Sequence, residues 1–251
     1  MTIRAVLFDL GNTLLEYELQ GRWREFLRRR LEEMYPLVCE SASVALSPAD
    51  FAARVGEIIG GEHARQIERS GRSWHFAARL REGLAQAGLS ADAAWLDRLT
   101  DAFYEPIRAC TKPYPDTSEA LDRLRSQGMP MAIITNSPWD TPTRLLRGDL
   151  EQWNLADFFR AFICSGELPW RKPNPSFMSA AAEALEVPAR HCLVVGDTPE
   201  VDIAGAQAAG MQSAWLNREG AAFPTSGPQP NWAAKELAEI VQALVATGSD
   251  A

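Results

Sequence analysis

The stretch Ala5-Val6-Leu7-Phe8-Asp9-Leu10-Gly11-Asn12 decides the fold. Four apolar residues run without interruption into an acid, and two turn formers follow, which is the pattern of a short buried strand opening into a polar loop. Runs of the same kind recur at Met129–Ile134, Ala161–Cys164, Cys192–Val195 and Ser213–Leu216, separated by segments of helix length. Strands this uniformly apolar are covered on both faces, and strands that alternate with helices pair in parallel. The expected fold is therefore α/β: a Rossmann-like parallel sheet with helices on both faces.

One interval breaks the alternation. From Glu16 to Arg108 no convincing strand occurs, and several stretches carry the helical period. The expected organisation is a Rossmann-like core of residues 1–15 and 109–251, with an all-helical cap, residues 16–108, inserted after the first strand and its loop. In the cap's first helix Trp23, Phe26, Leu27, Leu31 and Met34 share one face. Arg30 falls inside that stripe. An arginine there usually snorkels to water, and the sharper expectation is that it points into a ligand cleft between cap and core. Pro113, Pro115 and Asp116 mark the return to the core, and Gly220 to Pro230 breaks the chain before a last helix expected near Ala233–Val245.

The chain has 251 residues, 46% hydrophobic and 23% charged, enough apolar material for a sizeable core and too much for global disorder. Thirty-three acidic against 25 basic residues give a net charge of −8, the wrong sign for a nucleic-acid or anionic-membrane partner. A small anion stays compatible, because a local site can oppose the global field. Cys39, Cys110, Cys164 and Cys192 are far apart with no C-x-x-C pair, so reduced thiols are expected, not a zinc site or a disulfide framework. No apolar run approaches the ~20 residues of a spanning helix, and Asp9 arrives too early for a signal-peptide core, so the expected location is the cytoplasm.

In a parallel sheet, ligands bind beyond the carboxyl ends of the strands, where the loops converge. The polar residues after the apolar runs are Asp9, then Thr135 and Asn136, then Lys172 in a proline-bounded loop, then Asp197. Two carboxylates, a hydroxyl and an ammonium would meet at one edge. Pro199 suits the first turn of a helix, which puts Asp202 near that helix's N-terminus. Taken singly, each has an ordinary reading. Asp9 is a turn cap, Thr135 and Asn136 are strand-end hydrogen bonders, Lys172 is a solvated charge and Asp202 an acid facing a helix dipole.

Taken in order, Phe8-Asp9-Leu10-Gly11-Asn12-Thr13-Leu14, Ile134-Thr135-Asn136, Lys172-Pro173 and Gly196-Asp197-Thr198-Pro199-Glu200-Val201-Asp202 resemble the four motifs of the haloacid dehalogenase-like superfamily. The resemblance covers the core from Ile3 to about Leu216, and one branch of that superfamily carries a helical cap between its first and second motifs, where residues 16–108 lie. It implies a magnesium-dependent phosphatase acting on a small phosphorylated metabolite through an aspartyl-phosphate on Asp9. Asp9 and Asp197 would ligate the metal, the Gly11 main-chain carbonyl would add a further oxygen, and Asp202 would stand close to the ion. Lys172 would neutralise phosphate and hold Asp9. Thr135 would donate its hydroxyl to a phosphate oxygen, with Asn136 beside it. The chemistry is coherent, since a carboxylate attacks phosphorus only when the phosphate's charge is masked, and magnesium accepts hard oxygen donors.

The resemblance departs at Gly11. Family phosphatases commonly place a second Asp there as general acid and then base, and positioned proton transfer contributes ~10²–10⁴ in rate. His75 is a cap residue that could fill the gap, although beside Trp74 and Phe76 its setting is that of a packed or surface histidine. Two other readings follow. One is a hydrolytic 2-haloacid dehalogenase, which also lacks the second acid; the other is a catalytically weak member that binds a phosphorylated ligand or a protein. Asp197 and Asp202 weigh against the dehalogenase, because a halide would bind poorly beside them.

Overall fold

The computed structural model describes residues 2–17, 22–41, 44–222 and 226–248. Its strands are β1 Ala5–Phe8, β2 Leu15–Tyr17, β3 Thr111–Pro113, β4 Met131–Thr135, β5 Ala161–Cys164, β6 Cys192–Gly196, β7 Gln212–Leu216 and β8 Trp232–Ala234. Six of them form one sheet in the order β5-β4-β1-β6-β7-β8, every neighbouring pair parallel, while β2 and β3 pair antiparallel in a separate ribbon. Successive side chains of a strand point to opposite faces. Val6, Phe8, Met131, Ile133, Leu193 and Val195 enter one hydrophobic core, and Ala5, Leu7, Ala132, Ile134, Cys192 and Val194 the other. That double burial is why these strands read as unbroken apolar runs.

Helices α1 Trp23–Ser41, α2 Pro48–Gly60, α3 Glu62–Arg69, α4 Phe76–Gln86 and α5 Ala93–Ala109 all lie between β2 and β3. The remaining helices, α6 Thr117–Ser126, α7 Thr143–Glu151, α8 Pro175–Ala184, α9 Ala204–Ala208 and α10 Leu237–Gly248, connect or follow the sheet strands. No helix among the described residues is long and apolar enough to cross a membrane.

Two sequence expectations shift. Glu16, read as the first residue of a strandless interval, sits in β2 and pairs with Lys112; a three-residue strand is too short to show a period. The last helix starts at Leu237, not near Ala233, because residues 232–234 extend the sheet. Its start is fixed by carboxylates: Glu239 accepts from the backbone N–H groups of Lys235 and Glu236, and Asp116 accepts from that of Leu237 at 2.7 Å.

The loop after β4 joins sheet and helical insert. Trp139 and Asp140 both adopt left-handed backbone, with φ of 49° and 55°, a conformation uncommon outside glycine. The turn sends the Trp139 indole into the insert's core, stacked on Phe26 and edge-on to Trp23 and Phe103. It sends the fully buried Asp140 carboxylate to Arg79 of α4, 2.9 Å away and also fully buried. Arg79 further donates to the Ile59 carbonyl at 2.7 Å, to the Trp74 carbonyl and to Glu68, and Arg171 stands 3.3 Å from both Glu68 and Asp140.

Candidate active site

The register places the functional loops. Phe8 lies opposite Ile133 of β4 and Val195 of β6, so the residues that follow each strand emerge together at the carboxyl edge of the sheet's centre. Asp9 is tied there by its own N–H, which donates to the Val195 carbonyl at 2.9 Å. Its carboxylate is buried. It accepts from the Lys172 ammonium at 2.5 Å and from the Thr13 hydroxyl at 3.3 Å. Lys172 also donates to Asp202 at 2.7 Å, so one ammonium spans two carboxylates.

Lys172 is aimed by its backbone. Its N–H donates to the Asn136 side-chain oxygen at 2.9 Å, and its carbonyl accepts from the Asn136 amide nitrogen at 3.0 Å. One side chain thus clamps the lysine loop to the end of β4, where buried Thr135 also lines the cleft. Asp202 lies in a wide turn, Pro199–Ile203, ahead of α9. Its second oxygen accepts from the Thr198 N–H at 3.1 Å. Gly196 makes room for this fold-back, since a Cβ there would sit 2.3 Å from the Asp202 carboxyl carbon. Asp197 accepts from the Thr198 hydroxyl at 3.1 Å and from Asn12 at 3.4 Å.

Carboxylate oxygens of Asp9, Asp197 and Asp202 all lie within 4.8 Å of one another. Three acids face a single ammonium, and the imbalance is visible in their protonation. Burial, reinforced by Asp9 and Asp202 and only partly offset by Lys172, pushes the Asp197 carboxyl up to about 7. Burial likewise raises Asp202 to about 6, with Lys172 opposing and Asp9 adding to the shift. For Lys172 burial works against the charge, but Asp202 and Asp9 outweigh it and hold the ammonium above the usual lysine range. Hard oxygens, close convergence and two unanswered negative charges fit a divalent cation of the magnesium type.

Residues 3–210 match the haloacid dehalogenase-like hydrolase family. The chain belongs to that family. Among curated relatives, the phosphoglycolate phosphatase of Neisseria gonorrhoeae is 41% identical over 111 residues, which is 44% of this chain and 45% of that enzyme, so the match spans less than half its length. The glyceraldehyde 3-phosphate phosphatase of Methanopyrus kandleri is 28% identical over 86% of this chain and 84% of its own. Among solved structures, a 2-haloacid dehalogenase from Pseudomonas syringae superposes with a TM-score of 0.68 over 98% of this chain and 100% of that one, at 22% identity, a likeness of fold.

In this hydrolase the acids form the floor of a cleft of about 260 Å³ whose lining also includes Asn12, Thr198 and an apolar set, Tyr17, Trp23, Pro138, Leu146 and Val201. Asp9, Thr135, Asn136, Lys172 and Asp197, the residues that the strand-end argument named, line the cleft together with Gly11 and Asp202. Arg30 does not. It lies within the insert, paired with Glu33 at 3.0 Å and donating to the Ala102 carbonyl of α5. The apolar stripe around it packs against α5, so its guanidinium reaches the nearest carbonyl on that helix and not the cleft. His75 precedes α4 with Nε2 3.2 Å from the Leu168 carbonyl, and it too is absent from the cleft lining.

The apolar wall carried no sequence signal of its own. Tyr17 is the clearest case. Its hydroxyl donates to the fully buried Asp149 of α7 at 3.0 Å, an acid that also accepts from Tyr104 at 2.6 Å and pairs with Arg108 at 3.2 Å. This anchor turns the ring toward Gly11, where a Cβ would stand 3.6 Å from two ring carbons. Gly11 is therefore not required by crowding, and a side chain there would meet the ring at ordinary contact distance.

Proposed function

We propose that this hydrolase cleaves a small phosphate monoester in a magnesium-dependent reaction that passes through an aspartyl-phosphate on Asp9. The observation that carries the reading is the Lys172 ammonium bridging Asp9 and Asp202 in the cleft floor, with Asp197 converging on the same point. Asp9, Asp197 and the Gly11 carbonyl would hold the cation, and Asp202 would stand beside it. When bound, it supplies the charge screening that lets a carboxylate approach a phosphate dianion. The Asp9 oxygen bonds to phosphorus as the ester oxygen leaves with its electron pair and takes a proton from solvent water, since Gly11 has no side-chain acid to give one. Water then cleaves the phosphoryl group from Asp9 and restores the carboxylate. Lys172 orients Asp9, while Thr135 donates its hydroxyl to a phosphate oxygen and Asn136 fixes the lysine loop.

Three converging carboxylates argue against the dehalogenase reading, because a departing halide and a substrate carboxylate would both meet negative charge. A phosphorylated metabolite as partner and a cytoplasmic location belong to the same proposal. The test is release of phosphate from a panel of esters with and without magnesium, run beside 2-haloacids. Phosphate release that needs the metal and disappears in Asp9→Asn is expected. Halide release without metal would overturn the reading.

A further inference from the structure

The cleft's lining combines acids with apolar side chains and is poor in positive charge. Among the described lining residues Lys172 is the sole cation, and it is already bonded to Asp9 and Asp202. Other cations nearby in the fold are paired outside this lining: Arg108 with Asp149, Arg171 with Glu68 and Asp140, and Arg218 with Asp116. Arg218 lines an adjoining cavity that shares Asn12, Asp197 and Thr198 with the cleft. Arg22 and Arg24, which flank Trp23, are exposed and are not part of the lining. The sequence between Tyr17 and Arg22 reads Glu-Leu-Gln-Gly and contains no basic residue.

A phosphate seated over Asp9 leaves the rest of its ester to Tyr17, Trp23, Pro138, Leu146 and Val201, where a second anion would lose its water with no free cation among the described lining residues to receive it. Behind Tyr17, moreover, stands the buried Asp149 carboxyl. An uncharged planar group would instead exchange water for two aromatic faces and three aliphatic side chains.

We propose that the site takes phosphate monoesters whose remaining part is uncharged and apolar, of the arylmethyl or aryl class, and discriminates against esters bearing a carboxylate. This rests on the phosphatase reading above and sets the chain apart from its phosphoglycolate-hydrolysing relative, whose named substrate carries a carboxylate. Tyr17 and Trp23 become specificity-determining residues, and Asp149 a positioning residue that acts through the Tyr17 hydroxyl.

Benzyl phosphate and 4-carboxybenzyl phosphate share nearly the same leaving alcohol and differ by one charge at the far end. With magnesium, wild-type enzyme should show kcat/KM at least about tenfold higher for benzyl phosphate, the difference residing in KM. Trp23→Arg should narrow or invert that ratio, an effect that a merely structural role would not produce. Val201→Lys provides the same test if Trp23→Arg does not fold. Tyr17→Phe should raise KM for benzyl phosphate with little change in kcat. The unreactive benzylphosphonate and 4-carboxybenzylphosphonate, titrated by calorimetry, report the same preference without turnover. Equal or better use of the carboxylated ester, or tighter binding of its phosphonate, would overturn the inference while leaving the phosphatase reading intact. If no ester released phosphate, that reading would fail, and the phosphonate titrations would still decide the present one.

Discussion

Two buried charge clusters flank the loop after β4, and they are built to opposite ends. At the seam between sheet and insert, the guanidinium groups of Arg79 and Arg171 face the carboxylates of Asp140 and Glu68, two against two. On the cleft floor, Lys172 alone answers Asp9, Asp197 and Asp202. Both clusters are anchored on buried carboxylates, Asp140 in one and Asp202 in the other, where an unmatched charge costs far more than on a surface. The seam matches its charges with its own side chains and serves structure. The floor sets three acids against one base, and its raised carboxyls mark it as the place that takes a ligand.

That contrast can be broken by substitution. Asp9→Asn should lower kcat for phosphate release by about 10⁴-fold or more while the melting temperature holds or rises, since it removes one of three mutually repelling acids. Arg79→Met should do the reverse, costing about 3–5 kcal/mol in urea unfolding by leaving Asp140 and Glu68 to share Arg171, and the double variant Arg79→Met, Asp140→Leu should recover much of the loss. A cost below about 1 kcal/mol would show that the seam is not the structural pair its burial implies.

Added magnesium sharpens the comparison. At a hundredfold excess over its dissociation constant it should stabilise wild-type protein by about 2.7 kcal/mol, and Asp197→Asn should lose most of that gain. The pH dependence follows from the same acids. Asp197 and Asp202 titrate near 7 and 6 in the folded chain against an ordinary 3.8, so the folded form holds protons that the unfolded form has released. Their contribution to stability is greatest below about pH 4 and is lost as the pH rises through 6 and 7. The melting temperature measured without metal should decline across that window, and the increment produced by magnesium should grow. The smallest effect is expected from Arg30→Met: KM unchanged, and stability altered by about 1 kcal/mol or less.

Much of the floor was legible because its residues sit at the ends of apolar runs, and the parallel sheet converts that linear position into proximity. β1, β4, β5, β6 and β7 could be read for the same reason. The seam could not. Arg79 stands in a helix among Phe76, Leu80 and Leu84, and in sequence such an arginine looks like one more solvated charge. Its partner Asp140 is 61 residues away and turns inward only because two non-glycine residues adopt left-handed backbone. The Tyr17–Asp149 contact spans 132 residues with no local pattern to announce it. β8 was missed because three residues of edge strand carry no periodicity, and Arg30 was misplaced because a helical wheel gives a direction without naming the neighbour it meets.

The indole of Trp139 has a consequence for how this protein can be re-engineered. It is encoded in the sheet domain's sequence yet supplies packing for Trp23, Phe26 and Phe103 of the insert. The insert is consequently not an interchangeable module: a graft of residues between β2 and β3 onto a related scaffold must bring Pro138, Trp139 and Asp140 with it. A transplant without them would leave a hollow among the donor's rings, and the recipient would be asked to fold around a missing keystone.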